Sequence, residues 1–227
     1  MSGHEVLISL HGVDVGGELI LPPNALALVL FAHGSGSSRH SPRNQSVART
    51  LRAAGVGTLL FDLLTANEEQ AEAHTRHLRF DIALLAERLV GATRWALEQP
   101  TVKDLPIGYF GASTGAAAAL VAAAELGPAI RAVVSRGGRP DLAGDSLERV
   151  TAATLLIVGG DDKPVIPLNQ QAYDRLRSAK ALDIIPRASH LFEEPGALQQ
   201  VAQVASEWFA TYLPRKASGD GGLKTEN

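Results

Sequence analysis

Gly111-Ala112-Ser113-Thr114-Gly115 is the stretch on which the reading of this chain turns. It has the form G-x-S-x-G. Leu105-Pro106-Ile107-Gly108-Tyr109-Phe110 precedes it with a short buried-strand pattern. An alanine-rich run from Ala116 to Leu126 follows, a strong helix former closed by Gly127-Pro128. A strand, a tight turn with serine at its apex and a helix make a nucleophile elbow. Small residues flank the serine because the turn is strained and the helix must pass close to the strand. The hydroxyl is then held out into a cleft, with the positive end of a helix beneath it.

The segments on either side extend the pattern. Residues 4–10 and 18–21 read as two strands around a turn at Asp14-Val15-Gly16-Gly17, an N-terminal hairpin. Leu26-Ala27-Leu28-Val29-Leu30-Phe31-Ala32 is continuously apolar, as expected of a strand covered on both faces. A polar loop, His33-Gly34-Ser35-Gly36-Ser37-Ser38-Arg39-His40, leads to a helix over 42–54, with Pro42 in its first turn. Residues 56–61 are the next buried strand, and 62–77 are polar, irregular or partly helical. Ile82, Leu85, Leu89, Ala92, Trp95 and Ala96 form a helical apolar stripe within 78–99. Further strands are expected at 130–134, 154–158 and 182–185, with helices at 169–178 and 197–212. Trp95, Trp208 and Phe209 read as packing residues. Strands alternating with helices predict an α/β fold: a mostly parallel sheet with an N-terminal antiparallel hairpin and helices on both faces. One domain over residues 1–213 is expected, followed by a polar, disordered tail at 214–227. In such sheets, sites form at the carboxyl ends of the strands.

Composition removes several classes of function. Of 227 residues, 45% are hydrophobic and 20% charged, and the net charge is −3 with no basic stripe. Nucleic acid is therefore not an expected partner. No apolar run reaches the length of a membrane span, and no signal peptide is seen at the N-terminus. Cytoplasm is the compartment expected by default. The chain has no cysteine, which excludes disulfides, thiolate metal sites and a cysteine nucleophile. His74-Thr75-Arg76-His77 resembles half a metal site, but no third ligand is placed to complete it, so neither metal nor cofactor is expected.

A serine hydroxyl needs a base to take its proton, and the base needs a carboxylate to orient it. The sheet topology calls for the chain order serine, acid, histidine. His190 is the one histidine of seven that follows Ser113, and it lies just beyond the last expected strand. The acid belongs after a strand between them, where Val158-Gly159-Gly160-Asp161-Asp162 offers two adjacent aspartates. Asp141 and Asp145 are weaker alternatives. Backbone N–H groups of Thr114 and Ser35 are placed to hold a developing oxyanion. His33 precedes the serine and reads as fixing its loop. Arg136 and Arg139 lie beyond a strand carboxyl end, placed to bind an anionic substrate group or to pair with Asp141 or Glu148.

With Ser113, Asp161-Asp162 and His190 in order and His33-Gly34 ahead of them, the chain resembles the α/β-hydrolases, and among these the small dienelactone-hydrolase-like branch. The likeness covers about 19–213. Its pieces include Phe31-Ala32-His33-Gly34-Ser35-Gly36, the elbow, Ser135-Arg136-Gly137-Gly138-Arg139-Pro140, Gly159-Gly160-Asp161-Asp162 and Ser189-His190-Leu191-Phe192. The family's usual Gly-Gly-x-Asp ending of the acid strand selects Asp162. True dienelactone hydrolases use a cysteine nucleophile, so the resemblance implies a serine esterase here. The short, polar segment 135–153 leaves no room for a lid domain. The expected function is hydrolysis of small carboxylic esters through an acyl-enzyme. Acyl transfer to another acceptor, peroxide chemistry on the same residues and a silent small-molecule binding protein are the alternatives. Oligomeric state is not readable.

Overall fold

The computed structural model describes residues 3–10, 12–75 and 77–213. In chain order the elements are β1 (His4–Leu10), β2 (Val13–Ile20), β3 (Ala27–Ala32), α1 (Pro42–Ala53), β4 (Val56–Phe61), α2 (Ala66–Thr75), α3 (Ile82–Glu98), β5 (Ile107–Ala112) and α4 (Thr114–Leu126). They continue with β6 (Ile130–Arg136), a 3-10 segment over Pro140–Arg149, β7 (Ala153–Gly159), α5 (Ile166–Arg175), β8 (Lys180–Ile185) and α6 (Ala197–Tyr212). All eight strands join one sheet in the order β1-β2-β4-β3-β5-β6-β7-β8. The pairs β1–β2 and β2–β4 are antiparallel, and every other pair is parallel.

The strand β3 shows why its sequence is apolar throughout. Successive side chains of a strand point to opposite faces. Leu28, Leu30 and Ala32 enter a core built with α3 and α4. Ala27, Val29 and Phe31 enter a second core, against α1 and α6. Both faces are covered, so no position is left for a polar residue. The first half of α4 lacks a stripe for a related reason: Ala116 to Leu120 are all fully buried, so that part of the helix is enclosed on every side.

The hairpin is present, but its reversal is not at 14–17. Leu10 faces Val13 across the ladder, and Gly12 turns there with φ +86°. Asp14-Val15-Gly16-Gly17 runs inside β2. Its glycines are places of close approach: a Cβ on Gly17 would stand 3.1 Å from both the Ile8 and Val6 side chains. Between β6 and β7 lies only the 3-10 segment, with no separate lid domain among the described residues. No helix among them is long and apolar enough to cross a membrane. The expected tail at 214–227 and part of His74-Thr75-Arg76-His77 lie outside the described residues.

Candidate active site

Ser113 caps the N-terminus of α4 at φ 51° and ψ −123°, a region a residue with a Cβ rarely occupies. Its own backbone holds it there. The Ser113 carbonyl accepts from Ala116 N–H and Arg139 N–H, both at 3.1 Å, and its N–H donates to the Arg136 carbonyl at 3.4 Å. The two elbow glycines serve close packing. A Cβ on Gly111 would sit 2.5 Å from the Ala116 Cα, and one on Gly115 would collide with the carbonyl oxygens of Ala32 and His33. Only glycine lets α4 lie this near to β5 and β3.

Asp162 follows β7 in a turn closed by its own N–H on the Gly159 carbonyl at 3.0 Å. The turn directs the two aspartates apart: Asp161 is exposed, while Asp162 is 9% exposed. The His190 side chain, 39% exposed, has its Nδ1 2.6 Å from Asp162 Oδ2. That bond leaves Nε2 as the ring nitrogen available to a reacting group. His190 reaches this place although β8 is an edge strand three positions from β5. The loop after β8 folds back over the end of β7, where a Cβ on Gly159 would meet the carbonyls of Ala188 and Ser189. Arg187 and Phe192 bound this loop at φ 59° and 57°.

Ser113 and His190 line one cleft of about 200 Å³ together with Ser37, Ser41, Arg43 and Arg136. No hydrogen bond joins Ser113 to His190 among the described residues. The backbone N–H groups of Ser35 and Thr114 have no partner among the described residues, while their hydroxyls meet at 3.0 Å. Ser35 Oγ donates onward to the Arg79 carbonyl at 3.2 Å, which pins the loop beside the elbow.

The two arginines singled out from the sequence part company. Arg136 is 7% exposed and lines the cleft. Arg139 makes a two-pronged bond to Asp141, at 2.9 and 2.8 Å, and its side chain is not on the cleft wall. That pairing raises the Arg139 guanidinium further above its usual value. His33 is buried and accepts the Leu63 N–H on Nε2 at 3.0 Å. Its Nδ1–H therefore donates to the Gly34 carbonyl at 3.0 Å. Burial lowers its pKa, and a neutral ring joining the ends of β3 and β4 results.

Several supporting residues escaped the sequence reading. Glu194 accepts the Ser189 N–H at 3.0 Å and clamps the histidine loop; that bond, with the Ser189 hydroxyl, holds its carboxyl below the usual value. Asn169 donates to the Gly138 carbonyl at 3.2 Å and steadies the loop after β6. Asn44 accepts from Arg136 at 3.4 Å. None stands in a motif, and only the folded chain brings them to the site.

No family model matches the chain. A Mycobacterium tuberculosis protein with the provisional name phosphoribosyl transferase is 56% identical over 209 residues, 92% of this chain and 46% of that protein. The chain thus spans about half the length of the curated relatives it matches. A solved α/β serine hydrolase without a lid from Xanthomonas campestris, 20% identical, shares the fold at a TM-score of 0.73 over 95% of this chain and 97% of that one. The solved dienelactone hydrolase of Anabaena variabilis is 60% identical with a TM-score of 0.92, covering 93% of this chain and 98% of its own. At that likeness over nearly the full length of both, the chain belongs to the dienelactone hydrolase-like family of the α/β-hydrolase fold.

Proposed function

We propose that the protein is a serine esterase that cleaves small carboxylic esters through an acyl-enzyme. Ser113 is the nucleophile, His190 the base and Asp162 the carboxylate that orients it. The observation that carries the reading is the 2.6 Å bond from His190 Nδ1 to Asp162, with His190 sharing a cleft with the serine of a strained elbow.

The Ser113 oxygen attacks the ester carbonyl carbon while His190 Nε2 takes its proton. The N–H groups of Ser35 and Thr114 stabilise the negative oxygen that forms. As the carbonyl re-forms, the ester C–O bond breaks and His190 gives its proton to the leaving alcohol. Water then attacks the acyl-serine and loses a proton to the same imidazole; the acid departs and Ser113 is restored. Asp162 keeps the Nδ1–H tautomer and stabilises the imidazolium formed in each half. Every step uses groups at the carboxyl ends of β3, β5, β7 and β8. The open, lidless cleft suits short acyl groups.

The provisional name borne by the M. tuberculosis relatives belongs to proteins about twice this length. We do not extend phosphoribosyl transfer to this chain, because a poised serine and base serve acyl transfer directly. The test is labelling by a fluorophosphonate, peptide mapping of the adduct, and turnover of a short p-nitrophenyl ester. Ser113→Ala is expected to abolish the label and to lower turnover by about 10⁴-fold or more. A label that persists at full stoichiometry, or maps to another residue, overturns the assignment.

A further inference from the structure

The acyl transfer leaves one buried charge in the cleft unused. Arg136 is 7% exposed, and its Nε is enclosed without a partner. Its polar contact is the 3.4 Å bond to Asn44, a neutral acceptor. No aspartate or glutamate lines the cleft among the described residues. Burial first, and then the charge of Arg43, pull this guanidinium down from its usual value to about 10, so it remains a cation at neutral pH. A buried cation without an anion is costly and is rarely kept without a use.

A second feature meets it. The helix α1 opens beside the same cleft, with Ser41 as its N-cap and no acidic residue in its first turn. Arg43 occupies that turn, where a cation opposes the helix dipole. Its Nε is also enclosed without a partner, and its Nη1 reaches Glu193 at the rim at 3.3 Å. The Ser41 hydroxyl accepts the Asn44 N–H and keeps its own hydrogen to donate. Ser37 lines the same wall. Ser35, Ser37, Ser41 and Arg43 continue into an adjoining hollow of about 420 Å³, whose wall also includes Glu69.

We propose that the esterase site takes esters bearing a phosphate monoester, which Arg136, Arg43 and the N-terminal turn of α1 hold while Ser113 attacks the ester carbonyl. Two guanidiniums and two hydroxyls line one cleft where α1 begins; Pro42 has no N–H and the Asn44 N–H is taken by Ser41, so the Arg43 N–H is the backbone donor this turn adds. That is more donor capacity than a planar carboxylate with one negative charge uses, and it matches a tetrahedral group with three terminal oxygens and nearly two charges. The phosphate is bound and leaves unchanged; the bond that breaks is the carboxylic ester C–O. The chemistry of that step rests on the acyl-transfer reading above, whereas the anion site does not.

The test separates the two. Inorganic phosphate, acetate and chloride are compared at equal ionic strength as inhibitors of p-nitrophenyl acetate hydrolysis by the full chain. Phosphate binding to the Ser113→Ala protein is measured in parallel by calorimetry. Phosphate is expected to compete with the ester at about tenfold lower concentration than acetate. Arg136→Lys and Arg43→Gln are each expected to weaken phosphate about tenfold, the scale of one charge-assisted hydrogen bond. Phosphate no better than acetate, or binding unchanged in Arg43→Gln, overturns the proposal. Phosphate binding without turnover of any ester retains the anion site and sinks the acyl-transfer reading instead.

Discussion

At Ser113, the backbone conformation itself costs free energy. A residue with a Cβ at φ 51° and ψ −123° stores roughly 1–3 kcal/mol, held in place by the bonds to Ala116, Arg136 and Arg139. Glycine relieves that strain and adds roughly 1 kcal/mol of unfolded-chain entropy, whereas alanine keeps the Cβ. Ser113→Gly is therefore expected to melt a few degrees above Ser113→Ala, with both inactive. Equal melting temperatures would limit the strain to about the 1 kcal/mol that the added entropy offsets, and a lower one for Ser113→Gly would mean the elbow is unstrained. The neighbouring aspartates give a second contrast. Asp162→Asn presents an amide to His190 Nδ1 and favours the wrong tautomer, so turnover is expected to fall by about 10³–10⁴-fold. Asp161→Asn alters only an exposed side chain, and kcat is expected to stay within about twofold. Steady-state kinetics on the two proteins checks the ranking. Spacing along the chain left these two residues equivalent; the pattern Gly-Gly-x-Asp separated them, through a turn that buries one carboxylate and exposes the other. Arg136 and Arg139 had no such pattern. Which guanidinium finds Asp141 and which remains unpaired depends on backbone direction after β6, and that is not written in the letters.

Elements were legible where burial is complete or one-sided. The strands β3, β4 and β7 announce themselves as apolar runs because cores lie on both faces. The stripe of α3 is visible because only one side of that helix is buried. The helix α4 has no stripe and was legible through alanine content and its place after the elbow. The reversal between β1 and β2 was misplaced because a glycine pair is usually a turn signal, and here it marks contact with neighbouring side chains. The same kind of contact sets the most sensitive position in the site. Gly115 lies where α4 passes the end of β3, and an added methyl would strike two backbone carbonyls that cannot rotate away. The helix would have to move and carry Ser113 with it. Gly115→Ala is expected to cost about 3 kcal/mol, close to 10 °C in melting temperature for a chain of this size, and to lower kcat in the protein that remains folded. A variant with wild-type melting and turnover would show that α4 is not pressed against β3.

Across the whole molecule, the sheet separates two cores and brings Ser113, Asp162 and His190 to one rim. Alternation of strands and helices foretold that rim. The path by which an edge strand returns His190 over β7 was not foretold, since it depends on loop contacts between residues far apart in the chain. His33 ties this rim to global stability. Its ring joins β3 to the segment after β4, accepting from Leu63 within the larger core, with Asp62 and its ion-pair partner Arg39 close by. Burial is the main cause of its lowered pKa; the Gly34 carbonyl and Asp62 oppose it and do not prevail. The unfolded chain, with an ordinary value of 6.5, takes up the proton first as pH falls. Stability from a neutral His33 is thus fully present above about pH 6.5 and is lost as pH falls from there through the lower folded value. The slope cannot exceed about 1.4 kcal/mol per pH unit for one proton. Glutamine supplies an acceptor for Leu63 N–H without a titrating ring. Urea unfolding between pH 7 and pH 5 is expected to show a steeper loss of stability in the wild type than in His33→Gln. Parallel slopes in the two proteins would remove His33 as the source and leave the acid sensitivity of the fold to other groups.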